Sequence, residues 1–158
     1  MSDAISGVTL TLTKTTGTGT VQVSLSQDVD AVKTNIKAVA TAYNEVVKFI
    51  NERNTYNVTT KQGGIFFNEA AAKATLSQLR TALSSSVSGS TVFSSVGQIG
   101  FKTERDGTIT VDEGQLSTAL STNYSGVKAL FSNQGAVTGL AQSVVSAVDA
   151  LNNVAGGA

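Results

Sequence analysis

The residue types with the most chemical potential lie in one run, Glu104-x-Asp106-Gly107-x-Ile109-x-x-x-Glu113. Read as a calcium loop, they take the third, fifth, sixth, eighth and twelfth positions of an EF-hand, where carboxylates and a turn glycine surround a hard cation. The first position needs an oxygen ligand, and Lys102 stands there. The flanks also read as strands where a helix should enter, so a turn is expected rather than a metal site. Asp112 and Glu113 could form an acid/base dyad. Adjacent carboxylates at a helix start are better explained by capping and by the helix dipole. Asn57-Val58-Thr59 fits a glycosylation sequon, a match that a Thr-rich chain produces readily by chance. Gly135-x-x-x-Gly139 lies in no apolar 20-mer, so it carries no membrane dimerisation signal. No glycine-rich loop follows a strand and opens a helix with a lysine, which leaves nucleotide binding without support.

The chain contains no His and no Cys. Ser-His-Asp and Cys-His triads are therefore impossible within it, as are ordinary zinc sites. Any catalysis would fall to Asp, Glu, Lys, Arg or Tyr, and these stand in no catalytic arrangement. The sequence reads as non-enzymatic, with no cofactor and no metal expected.

Composition narrows the class further. An apolar fraction of 41% suffices for a core in a 158-residue chain. Eleven basic and eleven acidic residues balance to zero net charge, so nothing attracts nucleic acid or anionic lipid. No apolar run approaches the ~20 residues that span a bilayer. Met1-Ser2-Asp3-Ala4 has neither a basic nor an apolar signal region, so no cleaved secretory signal is expected.

The elements that must position these side chains follow from periodicity. Val8, Leu10 and Leu12 alternate with polar residues, as do Val21, Val23 and Leu25, which predicts a β-hairpin over 5–25. A long helix is predicted over 28–54, capped by Ser26 or Asp28. Its residues Val29, Val32, Ile36, Val39, Tyr43, Val46 and Ile50 alternate at spacings of three and four. That seam is a candidate packing surface for a helix within the fold or from another subunit; facing its own core is the plainer alternative. Asn54–Gly64 reads as a polar loop. A second helix is predicted over 69–86, capped by Asn68, with Ala72, Leu76, Leu79 and Leu83 facing inward. Ser84–Ser95 reads as a mobile Ser-rich connection.

A second hairpin is predicted over 98–112. A two-residue Asp-Gly turn would set Lys102 opposite Val111, apolar against polar. A three-residue loop, Arg105-Asp106-Gly107, pairs Thr103 with Ile109, Phe101 with Val111 and Ile99 with Glu113, and puts Gly107 in the left-handed position of a bulge. Asp112 then caps a helix, with Gln115 completing a capping box. That helix buries Leu116, Ala119 and Leu120, breaks at Thr122-Asn123, and resumes to bury Val127, Leu130 and Phe131. A last helix is predicted over 138–153, with Leu140, Val144, Val148 and Leu151 inward. The expected class is α+β, mostly helical, with two β-hairpins.

Order and spacing of several pieces carry a resemblance. They are Gly7-Val8-Thr9-Leu10-Thr11-Leu12, Val21-Gln22-Val23-Ser24-Leu25-Ser26-Gln27-Asp28, Ala42-Tyr43-Asn44 and Leu79-Arg80, then Ile99 through Ile109, Val111-Asp112, Leu116 and Val127-Lys128-Ala129-Leu130-Phe131. Together they resemble the C-terminal-half region of the flagellar hook-associated protein 2 family, the filament cap. Val39-Ala40-Thr41-Ala42 and Asn123-Tyr124 depart from the family pattern while keeping an apolar face and a capping side chain.

The resemblance implies a homo-oligomeric ring at the filament tip that helps exported flagellin fold into place. It implies an extracellular location on the bacterial flagellum, reached without a cleaved signal peptide. Residues 1–26 would be a hairpin at the head–leg junction. Residues 27–158 would be the C-terminal part of an elongated, coiled-coil-like helical leg with the 98–112 hairpin inserted. Expected partners are the chain itself and flagellin with other filament proteins, with no nucleic acid and no membrane insertion. A flagellin-like or hook–filament junction protein, or a surface adhesin module, is the competing reading.

Overall fold

The computed structural model describes residues 13–14, 17–20, 22, 24, 26–87, 92–133 and 138–155. The apolar residues that would pair in the predicted 5–25 hairpin, Val8, Leu10, Leu12, Val21, Val23 and Leu25, lie outside the described residues. What is described is four α-helices and two small antiparallel hairpins.

Helix α1 spans Val29–Arg53. The Asp28 carboxylate accepts from the Ala31 N–H at 2.9 Å, filling one of the donors a helix start leaves free. At the other end Arg53 lies in the last turn, where a cation suits the dipole. The chain then forms a minimal hairpin, β1 (Tyr56–Asn57) with β2 (Gln62–Gly63), inside the segment expected to be only loop. The sequon residue Asn57 closes its turn: its side-chain oxygen accepts from the Thr59 and Thr60 N–H groups at 2.9 and 3.1 Å. A local side chain-to-backbone bond of this kind leaves no trace in hydrophobic periodicity. Gly64 follows because a Cβ there would lie 2.2 Å from the Arg53 carbonyl oxygen.

Helix α2 spans Ala70–Ser84, and the expected Asn68 cap is not formed. Asn68 has φ +61 and accepts instead from Lys73 Nζ at 3.2 Å, while extended Glu69 precedes the helix without a side-chain cap bond. Ala72, Leu79 and Leu83 are buried as expected, Ala82 joins them, and Leu76 is partly buried. In the serine-rich connection Val87 is buried and its N–H donates to the Ser94 carbonyl at 2.8 Å.

A 3-10 turn, Val96–Ile99, leads into β3 (Phe101–Thr103), which pairs with β4 (Ile109–Val111). Phe101 faces Val111 and Thr103 faces Ile109, the register predicted from the three-residue loop. Ile99 does not reach Glu113. Gly100, at φ +106, turns the chain first, and Ile99 is fully buried at the end of the 3-10 turn.

Helix α3 spans Glu113–Phe131, capped by Asp112 through the Gln115 N–H at 3.0 Å. The expected capping box does not close. Gln115 Nε2 reaches toward the Gln98 carbonyl at 3.3 Å, and the Asp112 N–H is already committed to Gly100 across the hairpin. A capping box forms instead at the 3-10 turn, between Ser95 and Gln98. The predicted break is present as a kink: Asn123 leaves helical geometry and its Oδ1 accepts from the Gly126 N–H at 2.7 Å, restarting the helix. Helix α4 spans Leu140–Ala155 and packs on α2, and α1 packs on α2, α3 and β4. Leu140 is buried, Val144 partly so, and Val148 is exposed. The core runs from Ile36 and Tyr43 of α1 through Ile99, Leu116 and Leu120 to Val127, Leu130 and Leu140.

Candidate functional site

The seven residues of the α1 seam fall into two groups. Ile36, Tyr43 and Ile50 are buried, and Val29 and Val32 pack partly against the core. Val39 and Val46 are 39% and 38% exposed. Ala40 and Val47 take the buried places that complete the core stripe. α1 is apolar over more than one seam's width: one stripe faces the core, and beside it Val32, Val39, Ala42, Val46 and Phe49 form another.

That second stripe borders two open grooves. Toward the C-terminal end of α1, a groove of about 760 Å³ is lined by Ala42, Val46, Phe49 and Ile50 on one wall, and by Phe66, Ala71, Ala72 and Thr75 on the other. Glu45 and Glu69 also line it, and neither carboxylate has an ion-pair partner among the described residues. The Phe49 and Phe66 rings lie 6.0 Å apart, and the Arg53 guanidinium sits 3.7 Å above the Phe49 ring. Toward the N-terminal end, a groove of about 300 Å³ is lined by Val32, Val39, Tyr124, Val127, Lys128 and Phe131, among others.

The opposite side of α1 holds the β3–β4 hairpin with side chains. Asn44 Nδ2 donates to the Ile109 carbonyl and the Ile109 N–H donates to Asn44 Oδ1, both at 2.7 Å. One asparagine thereby takes the place of a third strand on the free edge of β4. Tyr43 Oη donates to the Gly107 carbonyl at 3.1 Å, and Asn51 Nδ2 donates to the Asp106 carbonyl at 2.9 Å. Seven residues separate Asn44 from Asn51, so both emerge on one side of the helix. Gly107 has φ +88, and a Cβ there would lie 2.6 Å from the Arg80 guanidinium. This explains three pieces of the motif set together: Tyr43-Asn44 grips the hairpin, Asp106-Gly107 shapes its tip, and Arg80 covers that tip. Sequence reasoning placed Tyr43 in an apolar seam and assigned Asn44 no role. The available signal was an amide on the helix flank one residue from the buried stripe.

The calcium-like carboxylates are spent on hairpin and helix geometry. Glu104 Oε1 accepts from Thr110 Oγ1 at 3.0 Å. Asp106 Oδ1 accepts from both the side chain and the N–H of Thr108, at 2.6 and 2.9 Å, which lowers its pKa below the usual carboxylate value. Asp112 is lowered by the Gln115 N–H it caps and then by Lys102, which donates to its other oxygen at 3.0 Å. Glu113 is lowered by its hydrogen-bonded ion pair with Lys37. Among the described residues no three carboxylates converge as a metal site would require. Among them, too, no helix is long and apolar enough to cross a membrane.

The family described as "Flagellar hook-associated protein 2 C-terminus" matches residues 1–158. Among similar proteins, the B-type flagellar hook-associated protein 2 of Pseudomonas aeruginosa is 33% identical over 90% of this chain and 30% of its own length. The flagellar hook-associated protein 2 of Helicobacter pylori strain J99 is 32% identical over 83% of this chain and 19% of its own. A crystal structure of the D1-D2-D3 domains of the flagellar cap protein FliD from Escherichia coli superposes with a TM-score of 0.65 and 29% identity, over 78% of this chain and 33% of that one. The chain thus spans a third or less of the relatives it matches.

Proposed function

Because the chain belongs to the flagellar hook-associated protein 2 C-terminal family, we propose that it is a structural, non-enzymatic part of a filament cap that promotes flagellin assembly at the filament tip. The match along the whole chain carries this reading. In it, the protein works outside the cell on the bacterial flagellum, reached without a cleaved signal. Its partners are further copies of itself in a ring, flagellin and other filament proteins. Residues 1–26 form the hairpin at the head–leg junction, and residues 27–158 form the C-terminal part of the leg.

The geometry supports a mechanical part. Four side-chain bonds from α1 lock the hairpin tip and its edge onto the helix, so the two move as one body. A rigid element suits a protein that must hold position while subunits fold beneath it. Of the α1 seam, Val39 and Val46 remain exposed, and in this reading they belong to the surface through which this body meets another helix or subunit.

The test is deletion of the full-length gene, with filament length read by electron microscopy and flagellin measured in the medium. Short or absent filaments with abundant monomeric flagellin outside are expected. Normal filaments would overturn the cap reading and turn attention to an adhesin or a minor filament component.

A further inference from the structure

Asp106-Gly107 is the one Asp-Gly step in the chain, and Asn-Gly does not occur. Glycine after aspartate leaves the next amide nitrogen most open to attack the side-chain carbonyl carbon, since no Cβ stands in the way. In that reaction the Gly107 nitrogen bonds to Asp106 Cγ, and its proton leaves with a carboxyl hydroxyl as water. The product is a five-membered succinimide, which water reopens. Addition at Cγ restores aspartate. Addition at the main-chain carbonyl carbon gives isoaspartate, whose backbone runs through the former side chain and is one methylene longer. One water is lost and one regained, so no other reactant is needed.

Asp106 is exposed at a hairpin tip, where such a step would be expected to react. Here the groups that must move are held. The Gly107 N–H donates to the Glu104 carbonyl at 3.1 Å. The Asp106 Oδ1 accepts from the Thr108 side chain and N–H at 2.6 and 2.9 Å, which fixes the direction of the carboxylate. The Asp106 carbonyl accepts from Asn51 and the Gly107 carbonyl from Tyr43, both on α1. Closing the ring means turning the Asp106–Gly107 peptide plane and swinging the carboxylate onto it, which breaks these bonds. The same Thr108 bonds lower the Asp106 pKa and favour the ionised form, which sheds its oxygen poorly.

We propose that Asp106-Gly107 is a covalent modification site held closed by its bonds to α1 and Thr108, forming isoaspartate through openings of the hairpin tip. The change is one-way for the fold. An added main-chain methylene puts the two carbonyls out of step with Asn51 and Tyr43 and takes the carboxylate off Thr108, so a tip modified while open cannot close as before. The inference stands apart from the cap reading.

Purified chain kept in neutral buffer is compared with chain kept in guanidinium. Isoaspartyl methyltransferase labelling measures the product. Digestion with a protease that cuts before aspartate locates it, because the cut before residue 106 is lost. Each bond shifts the opening equilibrium about fivefold, so the folded chain should react at least about a hundredfold more slowly than the denatured chain. Asn51→Ala and Thr108→Val should each speed the folded reaction by roughly three- to tenfold, beyond any rise in the exchange of α3 amides. Thr110→Ala should leave it unchanged, and all variants should react alike in guanidinium. After refolding, chains carrying isoaspartate should exchange the Ile109 amide faster than unmodified chains do.

A folded chain that reacts as fast as the denatured one overturns the proposal. So do Asn51→Ala and Thr108→Val chains no faster than Thr110→Ala, or faster only in step with α3 exchange. Refolded isoaspartate chains with the Ile109 amide fully protected would overturn the one-way consequence.

Discussion

Replacing Asn44 with alanine isolates the clasp between α1 and the hairpin. The amide gives one donor and one acceptor to the Ile109 backbone, both at 2.7 Å, beside a buried Ile109 side chain. Each bond contributes about 1 kcal/mol net, and an orphaned backbone group that water cannot reach costs about 1 to 3 kcal/mol. Alanine is itself favourable in a helix, which returns a few tenths of a kcal/mol. The balance is a loss of about 2 to 3 kcal/mol, equivalent to a fall in Tm of roughly 6 to 9 °C for a chain of this size. Urea unfolding should show the midpoint moving with little change in slope. The local signature is sharper. The Ile109 amide should lose protection from hydrogen exchange by roughly thirtyfold or more, while amides in the middle of α3 change only as far as global stability does. Thr110→Ala is the control, because its hydroxyl bonds only the exposed Glu104 carboxylate; it should shift stability by less than about 0.5 kcal/mol. An Asn44→Ala loss no larger than this control, with the Ile109 amide still protected, would refute the idea that the asparagine stands in for a strand.

Three further outcomes follow from the same hairpin and its flanks. Gly107→Ala should destabilise by about 1 to 3 kcal/mol, since φ +88 is strained for any residue with a Cβ; adding Arg80→Ala should recover only the part due to the guanidinium contact, as urea midpoints of the single and double variants will show. Asp106, Asp112 and Glu113 all have folded pKa values below their reference values of 3.8, 3.8 and 4.5. Groups depressed in this way stabilise the fold above their unfolded pKa, and the contribution is lost as pH falls through the folded values, so Tm should drop on acidification below about pH 4.5. Asp112→Asn should flatten that drop, which thermal scans from pH 7 to pH 2.5 would detect. Millimolar calcium should leave Tm unchanged, because Glu104, Asp106 and Asp112 are engaged with Thr110, Thr108 and the start of α3; a calcium-dependent rise in Tm would show that the carboxylates can leave these partners.

What could be read from the sequence was whatever burial enforces with a period. The β3–β4 register followed from refusing to set Lys102 opposite Val111, and the structure pairs Phe101 with Val111 for the same reason. The Asp112 cap and the break at Asn123 were legible because short polar side chains at those places compete for backbone donors. Contacts decided by a single side chain reaching across the fold were not legible. Gln115 has the type and spacing of a capping-box partner, yet its would-be acceptor role is empty because the Asp112 N–H already serves the hairpin. Asn68 looked like a cap and became a left-handed turn residue, which asparagine tolerates better than most residues do. The α1 stripe shows the deeper reason. Periodicity reports that a face is apolar, and two adjoining seams on one helix share a period. The seven-residue seam therefore mixed Ile36, Tyr43 and Ile50, which the core buries, with Val39 and Val46, which it leaves out. Only the third dimension separates residues that hold the fold from those it leaves exposed, and on α1 that division runs between neighbours such as Val46 and Val47.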